Sequence, residues 1–275
     1  MAVRAGADRA SAVRRGSVGT PGEWRVISDP ALPGAYNMAM DHALARELSA
    51  GEALLRLYRW ERPTLSFGRN EPADGLYDRA LAESLGVDFV RRPTGGRAVL
   101  HDEELTYAVV VEVGALGGLR ETYRRINEAL VAGLKGLGAP VDMASTTAAA
   151  PGVDAGPCFD VPADGEVVAK GRKLVGSAQV RIGRAILQHG SIILGGDQSV
   201  IGRIGGKGSV PSPPATLGRL LGEAPARPDL EASLLDGFRQ SMGGSWRADE
   251  PGPRERDVAA QLESQYRDPT WTWRR

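Results

Sequence analysis

Two residues in the second half of the chain have side chains suited to nucleophilic chemistry. Cys158 is the only cysteine, in the segment GPCFD, and Lys173 follows it fifteen residues later. A free thiol, with a pKa near ~8.5, is mostly protonated at neutral pH, so a nucleophilic cysteine needs a nearby cation or base. Lys173 meets this need if the fold brings it close to Cys158. The alternative is a small buried cysteine and an incidental strand lysine.

A second candidate for ligand binding is the segment RRPTGGRAVLHD, which spans residues 91–102. Its Gly-Gly pair permits positive φ and a close approach of backbone N–H groups to a carbonyl or phosphate oxygen, while the arginines supply fixed charge. The alternative is a tight connection between strands with surface arginines. The binding candidates in this segment are Arg91, Arg92, Thr94, Gly95, Gly96, Arg97 and His101.

The three histidines bear on how a thiol could be activated, because a Cys–His pair is the commoner device. His101 ends the glycine segment and His189 lies in QHGSIIL, so either could approach Cys158, whereas His42 lies in a predicted helix without a supporting motif. No HExxH or paired-carboxylate pattern supports a catalytic metal, and no GxxxxGK[ST] supports a P-loop nucleotide site.

Composition excludes several classes of protein. Lys plus Arg and Asp plus Glu both total 34, so no global positive field favours a nucleic acid or an anionic membrane. The apolar runs are far shorter than the ~20 residues that cross a bilayer, and residues 1–20 lack the apolar region of a signal peptide. A single cysteine suits a reducing compartment, so we expect a cytoplasmic protein; a transit peptide is the weaker alternative.

Hydrophobic periodicity predicts strands and helices in alternation without a strict βαβ rhythm, which indicates an α+β or mixed α/β fold. We expect a hairpin between two of the strands, Leu54–Trp60 and Thr64–Gly68, and a second hairpin about Gly183. The predicted helices are Tyr36–Leu48, Leu76–Leu85, Leu119–Leu137, Leu217–Leu221, Leu230–Met242 and Asp257–Gln265.

The predicted organisation is a disordered tail over residues 1–20 and one catalytic domain over residues 21–275. Within that domain the motifs lie in residues 24–194, and residues 215–275 form a helical C-terminal part with too few apolar residues for an independent domain. The small-residue stretch Ala144–Gly156 predicts a mobile surface loop that leads to Cys158.

Four motifs together resemble the biotin and lipoate protein ligase superfamily: SFGRN, RRPTGGRAVLHD, KLVGSAQ and QHGSIIL, in this order and spacing. The segment PCFD, followed by Lys173, is similar to the cysteine-dependent octanoyltransferases of that superfamily. The resemblance implies a largely antiparallel mixed sheet flanked by helices, as in the catalytic domains of the biotin and lipoate ligases. It also implies an acyl chain in an apolar tunnel beside the glycine loop. It adds the binding candidates Arg69, Asn70, Gly176, Ser177, Ala178 and His189.

The resemblance also implies a reaction. Cys158 would take an octanoyl group from octanoyl acyl carrier protein, and Lys173 would orient or activate the reacting groups. A lysine of a lipoyl domain, such as the glycine cleavage H protein, would then accept the octanoyl group as an amide. This route needs no nucleotide or other cofactor. Backbone N–H groups near Gly95, Gly96 or Gly176 are candidate oxyanion donors.

Three other functions remain open at the level of sequence. An ATP-dependent lipoate protein ligase would use the same glycine loop and Lys173 but gives Cys158 no required role. An amidotransferase between lipoyl domains would use the cysteine with a different donor. A noncatalytic acyl-binding module would need neither Cys158 nor Lys173 intact.

Overall fold

A six-stranded mixed sheet forms the centre of the molecule. The structure is a computed structural model that describes residues 21–145, 164–205 and 213–274. In chain order the strands are β1 (Glu23–Leu32), β2 (Glu52–Trp60), β3 (Thr64–Phe67), β4 (Asp88–Arg91), β5 (Val99–His101), β6 (Glu104–Glu112), β7 (Asp142–Met143), β8 (Val167–Ala169), β9 (Arg172–Lys173), β10 (Val175–Ile182), β11 (Ala185–Ile193) and β12 (Ser245–Ala248).

The described helices cover both faces of this sheet. They are α1 (Gly34–Glu47), α2 (Arg79–Ser84), α3 (Leu119–Gly136), α4 (Val200–Ile204), α5 (Leu217–Leu221), α6 (Arg227–Met242), α7 (Pro253–Arg267) and α8 (Pro269–Thr272). The mixed fold expected from the sequence is confirmed, and each of the six predicted helices overlaps an observed one. Within the described ranges, no helix is long and apolar enough to cross a membrane.

The central sheet is ordered β10-β11-β6-β2-β1-β12. The three contacts from β10 to β2 are antiparallel, and the contacts of β1 with β2 and β12 are parallel, so the sheet is largely antiparallel as expected. The hairpin predicted about Gly183 is confirmed as β10 and β11. Its in-register strands carry both KLVGSAQ and QHGSIIL to one region of the sheet.

Alternation along the strands divides the core into two layers, because successive side chains point to opposite faces of a sheet. In β2, Leu55 and Leu57 join the layer beneath α3 and α6. On the opposite face, Leu54 and Tyr58 join the layer beneath α1 and α7. The second layer is the one that contributes to the site described below.

The hairpin predicted between Leu54–Trp60 and Thr64–Gly68 is wrong. β2 already pairs on both edges, with β1 and β6, so it has no free edge for β3. β3 instead forms the middle strand of a second sheet, parallel to β4 and antiparallel to β5. This smaller sheet carries SFGRN and the two ends of the glycine segment next to one another.

The C-terminal part contains a strand that the sequence pattern did not predict. The four residues of β12 pair parallel with β1, through Trp24 and Trp246 among others, and the two indoles stack at 4.6 Å. The strand is too short for a period-two pattern to stand out. α6 packs on α3 and α7 packs on α1. The C-terminal part therefore contributes to both layers of the core.

Candidate active site

A cavity opens on the α1 side of the central sheet, with about 410 Å³ of empty space that includes its opening to solvent. Its floor is a row of residues paired across four strands, Tyr58, Thr106, Ser191 and Gly176. The neighbouring row adds His189 and Ala178, and the small side chains of β10 and β11 leave the space open. The walls are mostly apolar. Among the described residues, the lining is Met38, Tyr58, Trp60, Ser66, Arg92, Gly96, Val99, His101, Thr106, Gly176, Ser177, Ala178, His189, Gly190 and Ser191.

The glycine segment forms one wall of the cavity, and Arg92 holds its shape. The buried guanidinium of Arg92 donates to the carbonyls of Gly95 at 2.9 Å and Arg97 at 2.8 Å, and to the carbonyl of Ser66 at 2.8 Å. Gly96 has φ of +90°, which favours glycine. A Cβ on Gly68 would lie 1.8 Å from the Gly96 carbonyl oxygen, so this approach of two backbones requires glycine.

A buried chain of polar groups connects the sheet to this loop. His189 Nδ1 lies 2.8 Å from Asp41 Oδ2, and His189 Nε2 lies 2.7 Å from Thr94 Oγ1. An ionised carboxylate can only accept, so Nδ1 donates to Asp41, and in the neutral imidazole Nε2 accepts from the Thr94 hydroxyl. The chain fixes the ring of His189 at the cavity wall and holds the loop at Thr94.

Asp41 is fully buried and has three charged or polar partners. Besides His189, it accepts from Arg56 Nη1 at 2.7 Å and from the Tyr58 hydroxyl at 2.8 Å. Burial alone would raise the pKa of Asp41, but the hydrogen bond from His189 and the charge of Arg56 outweigh it and hold the pKa below its usual range. Burial raises the pKa of Tyr58 well above its usual value, so this phenol remains protonated.

His101, near the end of the glycine segment, also lines the cavity. Its Nε2 lies 2.9 Å from Ser66 Oγ, and its ring stacks on Trp60 with 4.0 Å between centroids. Arg92 donates to Ser66 Oγ, so the serine hydroxyl can donate to Nε2. Burial lowers the pKa of His101 more than the nearby Glu104 raises it, so this ring is neutral at neutral pH.

Lys173 is buried, and its ammonium donates to Glu166 Oε1 at 2.6 Å. Its charge also acts on Tyr107, whose hydroxyl lies 2.7 Å from Ser177 Oγ at the cavity lining. Lys173 lies in β9, next to β10 in the chain, and it is not among the described residues that line the cavity. Cys158 and the predicted loop Ala144–Gly156 from residue 146 onward lie outside the described residues.

Seven of the predicted binding residues line the one cavity, and Thr94 and Gly95 lie in the loop that forms its wall. The seven are Arg92, Gly96, His101, Gly176, Ser177, Ala178 and His189. Arg69 and Asn70 are exposed beside the loop, and the Arg69 backbone N–H donates to the Thr94 carbonyl at 2.7 Å. Arg97 is buried at the end of the loop.

Arg91 does not line the cavity. Its buried guanidinium donates to the carbonyls of Gly68 and Glu71 on one side and of Trp271 and Thr272 on the other. Alternation explains the difference, because Arg91 and Arg92 are neighbours at the end of β4 and point in opposite directions. Arg91 thereby ties the C-terminal segment to the loop after β3.

Several cavity and supporting residues were not singled out from the sequence. Asp41 and Glu166 are the charged partners, and the lining adds Met38, Tyr58, Trp60, Ser66, Val99, Thr106, Gly190 and Ser191. A carboxylate among the apolar positions of α1 was an available signal for Asp41, since a buried charge is normally paired. In the described part of the chain, no group of three His, Cys, Asp or Glu residues could hold a metal ion.

Comparison with known proteins agrees with the resemblance drawn from the motifs. The pattern of the lipoyl protein ligase A/B catalytic domain matches residues 33–239. Octanoyltransferase LipM of Kyrpidia tusciae is 38% identical over 273 residues, covering 92% of this chain and 99% of that protein. Octanoyltransferase LipM of Moorella thermoacetica is 43% identical over 185 residues, covering 62% of this chain and 65% of that protein.

Solved structures agree in fold. Lipoate-protein ligase A bound with ATP superposes with a TM-score of 0.77 at 23% identity, covering 92% of this chain and 98% of that one. A bi-partite lipoate protein ligase from Thermoplasma acidophilum gives 0.72 at 22% identity, covering 92% and 96%. Because the family pattern spans most of the chain, including the glycine loop and the β10–β11 hairpin, this chain belongs to the lipoyl protein ligase A/B catalytic-domain family.

Proposed function

We propose that this enzyme transfers an octanoyl group from octanoyl acyl carrier protein to a lysine of a lipoyl domain, through an acyl-cysteine at Cys158. Acyl transfer is the reaction class of the octanoyltransferases that it resembles over nearly its whole length. The observation that carries the proposal is the mostly apolar cavity between the glycine loop and β10–β11, which suits a short acyl chain.

In the first half-reaction, the Cys158 thiolate attacks the carbonyl carbon of the octanoyl thioester. The bond from that carbon to the carrier sulfur breaks, and the carrier sulfur takes a proton from water and leaves as a thiol; the acceptor amine returns a proton to water in the second half-reaction. One thioester replaces another, so the step is nearly neutral in free energy. It needs no nucleotide or other cofactor.

In the second half-reaction, the uncharged amine of the acceptor lysine attacks the acyl-cysteine carbonyl. The bond from carbon to Cys158 sulfur breaks, the amine loses a proton, and the octanoyl group leaves as an amide. Conversion of a thioester to an amide is downhill, which makes this half-reaction the driving step. The regenerated thiolate is ready for another donor.

In this mechanism, Lys173 orients the reacting groups from the β10 side. Glu166 would fix its ammonium, because both side chains are buried and joined by a 2.6 Å hydrogen bond. A fixed cation there would stabilise both the thiolate and the negative charge that develops on the carbonyl oxygen. Backbone N–H groups of the glycine loop or at Gly176 would supply further donors to that oxygen.

The specific alternative is ATP-dependent lipoate ligation, because lipoate-protein ligase A shares this fold. At 23% identity that likeness concerns the fold, whereas the octanoyltransferase of Kyrpidia tusciae is 38% identical along its length. Transfer between lipoyl domains differs from the first proposal in the donor alone. The donor is therefore the variable that an experiment has to control.

The experiment supplies the purified enzyme and a lipoyl domain with one donor at a time: octanoyl acyl carrier protein, octanoylated H protein, or free octanoate with ATP. We expect transfer from the carrier protein without ATP. Activity with octanoate and ATP alone would establish the ligase alternative, and activity with the octanoylated H protein alone would establish the amidotransferase.

A matched pair of substitutions tests the assignment of Lys173. Lys173→Arg keeps the charge but not the small ammonium that fits against Glu166, and we expect a loss of about 100-fold in kcat, the size of losing one oxyanion donor. Lys135→Arg, at an exposed ion pair with Asp142, should leave kcat unchanged. Equal activity of the two folded variants would contradict the assignment.

A further inference from the structure

Arg69 and Arg274 meet on the surface beside the glycine loop, and a third arginine, Arg46, shares with Arg69 an effect on His42. The Arg274 guanidinium donates to the carbonyl of Arg69, and Arg69 in turn is bound through its N–H to the Thr94 carbonyl. Arg46 lies one helical turn after His42 in α1, and the charges of both Arg46 and Arg69 act on His42. Arg46, Arg69 and Arg274 are called the arginine cluster below.

The cluster is electrostatically uncompensated. In the described parts of the chain, none of its three members forms an ion pair with a carboxylate. Burial and then the charge of Arg69 lower the pKa of Arg274, and burial and then the charge of Arg274 lower the pKa of Arg91 to about 10. These guanidinium groups therefore repel one another, and an anion placed among them would relieve that repulsion.

The nearby carboxylate does not neutralise the cluster. Glu71 is buried, and its two oxygens accept from the backbone N–H groups of Gly68 and Ala98, both at 2.9 Å. Burial raises the pKa of Glu71. This side chain shapes the loop from the inside, whereas Arg46 and Arg69 are exposed to solvent.

The cluster lies at the edge of the cavity. Arg69 follows Gly68, whose backbone touches that of Gly96, and Gly96 is the exposed member of the cavity lining. An anion held by Arg69 would be next to the glycine loop, which forms a wall of the cavity. A ligand that carries an acyl group in the cavity and a phosphate outside it would engage both features.

We propose that the arginine cluster binds the phosphate of the 4′-phosphopantetheine arm that carries the acyl group. This inference rests on the proposed function, because it assumes a thioester donor in the cavity. Arginine pairs with phosphate in a bidentate manner, and several arginines with no acidic partner provide a stronger site than a single cation. Carrier protein and coenzyme A present this same phosphopantetheine chemistry.

Binding tests the cluster without any turnover. Calorimetry on the full-length protein compares 4′-phosphopantetheine with pantetheine, which lacks the phosphate. We expect at least about 10-fold tighter binding of the phosphorylated compound, as one charge-assisted hydrogen bond provides. The preference should disappear in Arg69→Gln and should remain in Arg120→Gln, an exposed arginine at the start of α3 on the opposite side of the sheet. Equal binding of the two compounds would overturn the inference.

Kinetics then identify the group that the cluster recognises. For Arg69→Gln we expect kcat/KM to fall about 10-fold, mainly through KM, with octanoyl acyl carrier protein and with octanoyl coenzyme A, but not with octanoyl pantetheine. A loss with the carrier protein alone would assign the cluster to acidic side chains of that protein instead. A uniform loss with all three donors would assign Arg69 to loop positioning. Failure of the wild-type enzyme with every thioester would reject the proposed function itself, while the binding result would still stand.

Discussion

At the scale of single residues, the polar wall of the cavity depends on Asp41. Its carboxylate is fully buried and accepts from His189, Arg56 and Tyr58. Arg56 is itself fully buried, and its other carboxylate partner is Asp29 at 2.7 Å. Removing the charge of Asp41 would leave the guanidinium of Arg56 undercompensated inside the protein, which is the costly way to break a buried pair.

We therefore expect Asp41→Asn to lower the free energy of unfolding by about 3–5 kcal/mol at neutral pH. The control is Asp88→Asn, at an exposed pair 3.4 Å from Arg62, which should cost less than about 1 kcal/mol. Urea denaturation of both variants measures the two values. A cost for Asp41→Asn as small as that of the control would contradict the network described here.

The same substitution has a predicted dependence on pH. The pKa of Asp41 is lower in the folded protein than in the unfolded chain, so its stabilisation is complete above the ordinary value of ~3.9 and declines as the pH falls through the folded pKa. The stability difference between wild type and Asp41→Asn should shrink in acid. If the stability difference between wild type and Asp41→Asn grew as the pH fell below 4, the pKa of Asp41 would be raised by folding and not lowered.

His42 gives a second pH dependence, in a different range. Burial, followed by the charges of Arg46 and Arg69, lowers the pKa of His42 to about 4, and its Nδ1 lies 2.9 Å from the Tyr266 hydroxyl. In the unfolded chain His42 has its ordinary pKa of ~6.5, so between pH 6.5 and 4 it binds a proton in the unfolded chain but not in the folded protein. The free energy of unfolding therefore decreases as the pH falls from 6.5 to 4.

His42→Phe removes this titration. The destabilisation of the variant relative to wild type should therefore be greater at pH 7.5 than at pH 5, because at pH 5 the wild type has already lost part of the stability that neutral His42 contributes. Thermal unfolding at the two pH values measures it. The same relative stability of the variant at both values would show that His42 titrates alike in the folded and unfolded states.

Single residues differ in how far the sequence could predict them. Glycine and histidine motifs indicated the loop and the β10–β11 wall, because those residue types carry a local meaning. Asp41 and Glu166 become significant only through partners far along the chain, such as His189 at 2.8 Å from Asp41. Arg91 and Arg92 look equivalent in the sequence, and only the alternation at the end of β4 separates their roles.

At the scale of elements, α3 and α6 cross at two glycines. A Cβ on Gly237 would lie 2.3 Å from the Gly133 nitrogen, and a Cβ on Gly133 would lie 2.7 Å from the Leu234 Cα. Neither contact involves a flexible side chain that could move aside. The crossing therefore requires glycine at both positions.

We expect Gly237→Ala to destabilise the protein by about 1–3 kcal/mol, because the added methyl group forces the two helices apart. Gly22→Ala is the matched control, since a Cβ there has no neighbour within 4 Å. Chemical denaturation measures both. At an open helix position, replacing glycine by alanine stabilises the helix. An increase in the stability of Gly237→Ala would therefore contradict the close crossing.

Elements with a long hydrophobic pattern could be predicted, and those defined by distant pairing could not. α3 was expected at Leu119–Leu137 and is observed at Leu119–Gly136. β12 was missed because four residues carry little pattern, and its parallel partner β1 lies more than 200 residues earlier. The hairpin prediction is wrong because strands that are neighbours in sequence need not pair: β1 and β6 occupy both edges of β2.

At the scale of the whole molecule, the fold follows from the motifs more than from the element pattern. The resemblance predicted a largely antiparallel mixed sheet, which the structure confirms. The family match over residues 33–239 confirms the resemblance itself. The division into a tail over residues 1–20 and one domain over residues 21–275 stays a prediction. The contacts of α6 with α3, of α7 with α1 and of β12 with β1 support one unit.

The central claim concerns the whole reaction: the acyl group passes through Cys158 while the cavity holds its chain. The direct measurement is intact-protein and peptide mass spectrometry after the enzyme has been mixed with octanoyl acyl carrier protein in the absence of an acceptor. We expect one octanoyl group on the Cys158 peptide, which disappears when a lipoyl domain is added and never forms in Cys158→Ala. Turnover by Cys158→Ala, or an octanoyl group on wild type that the lipoyl domain cannot remove, would contradict it.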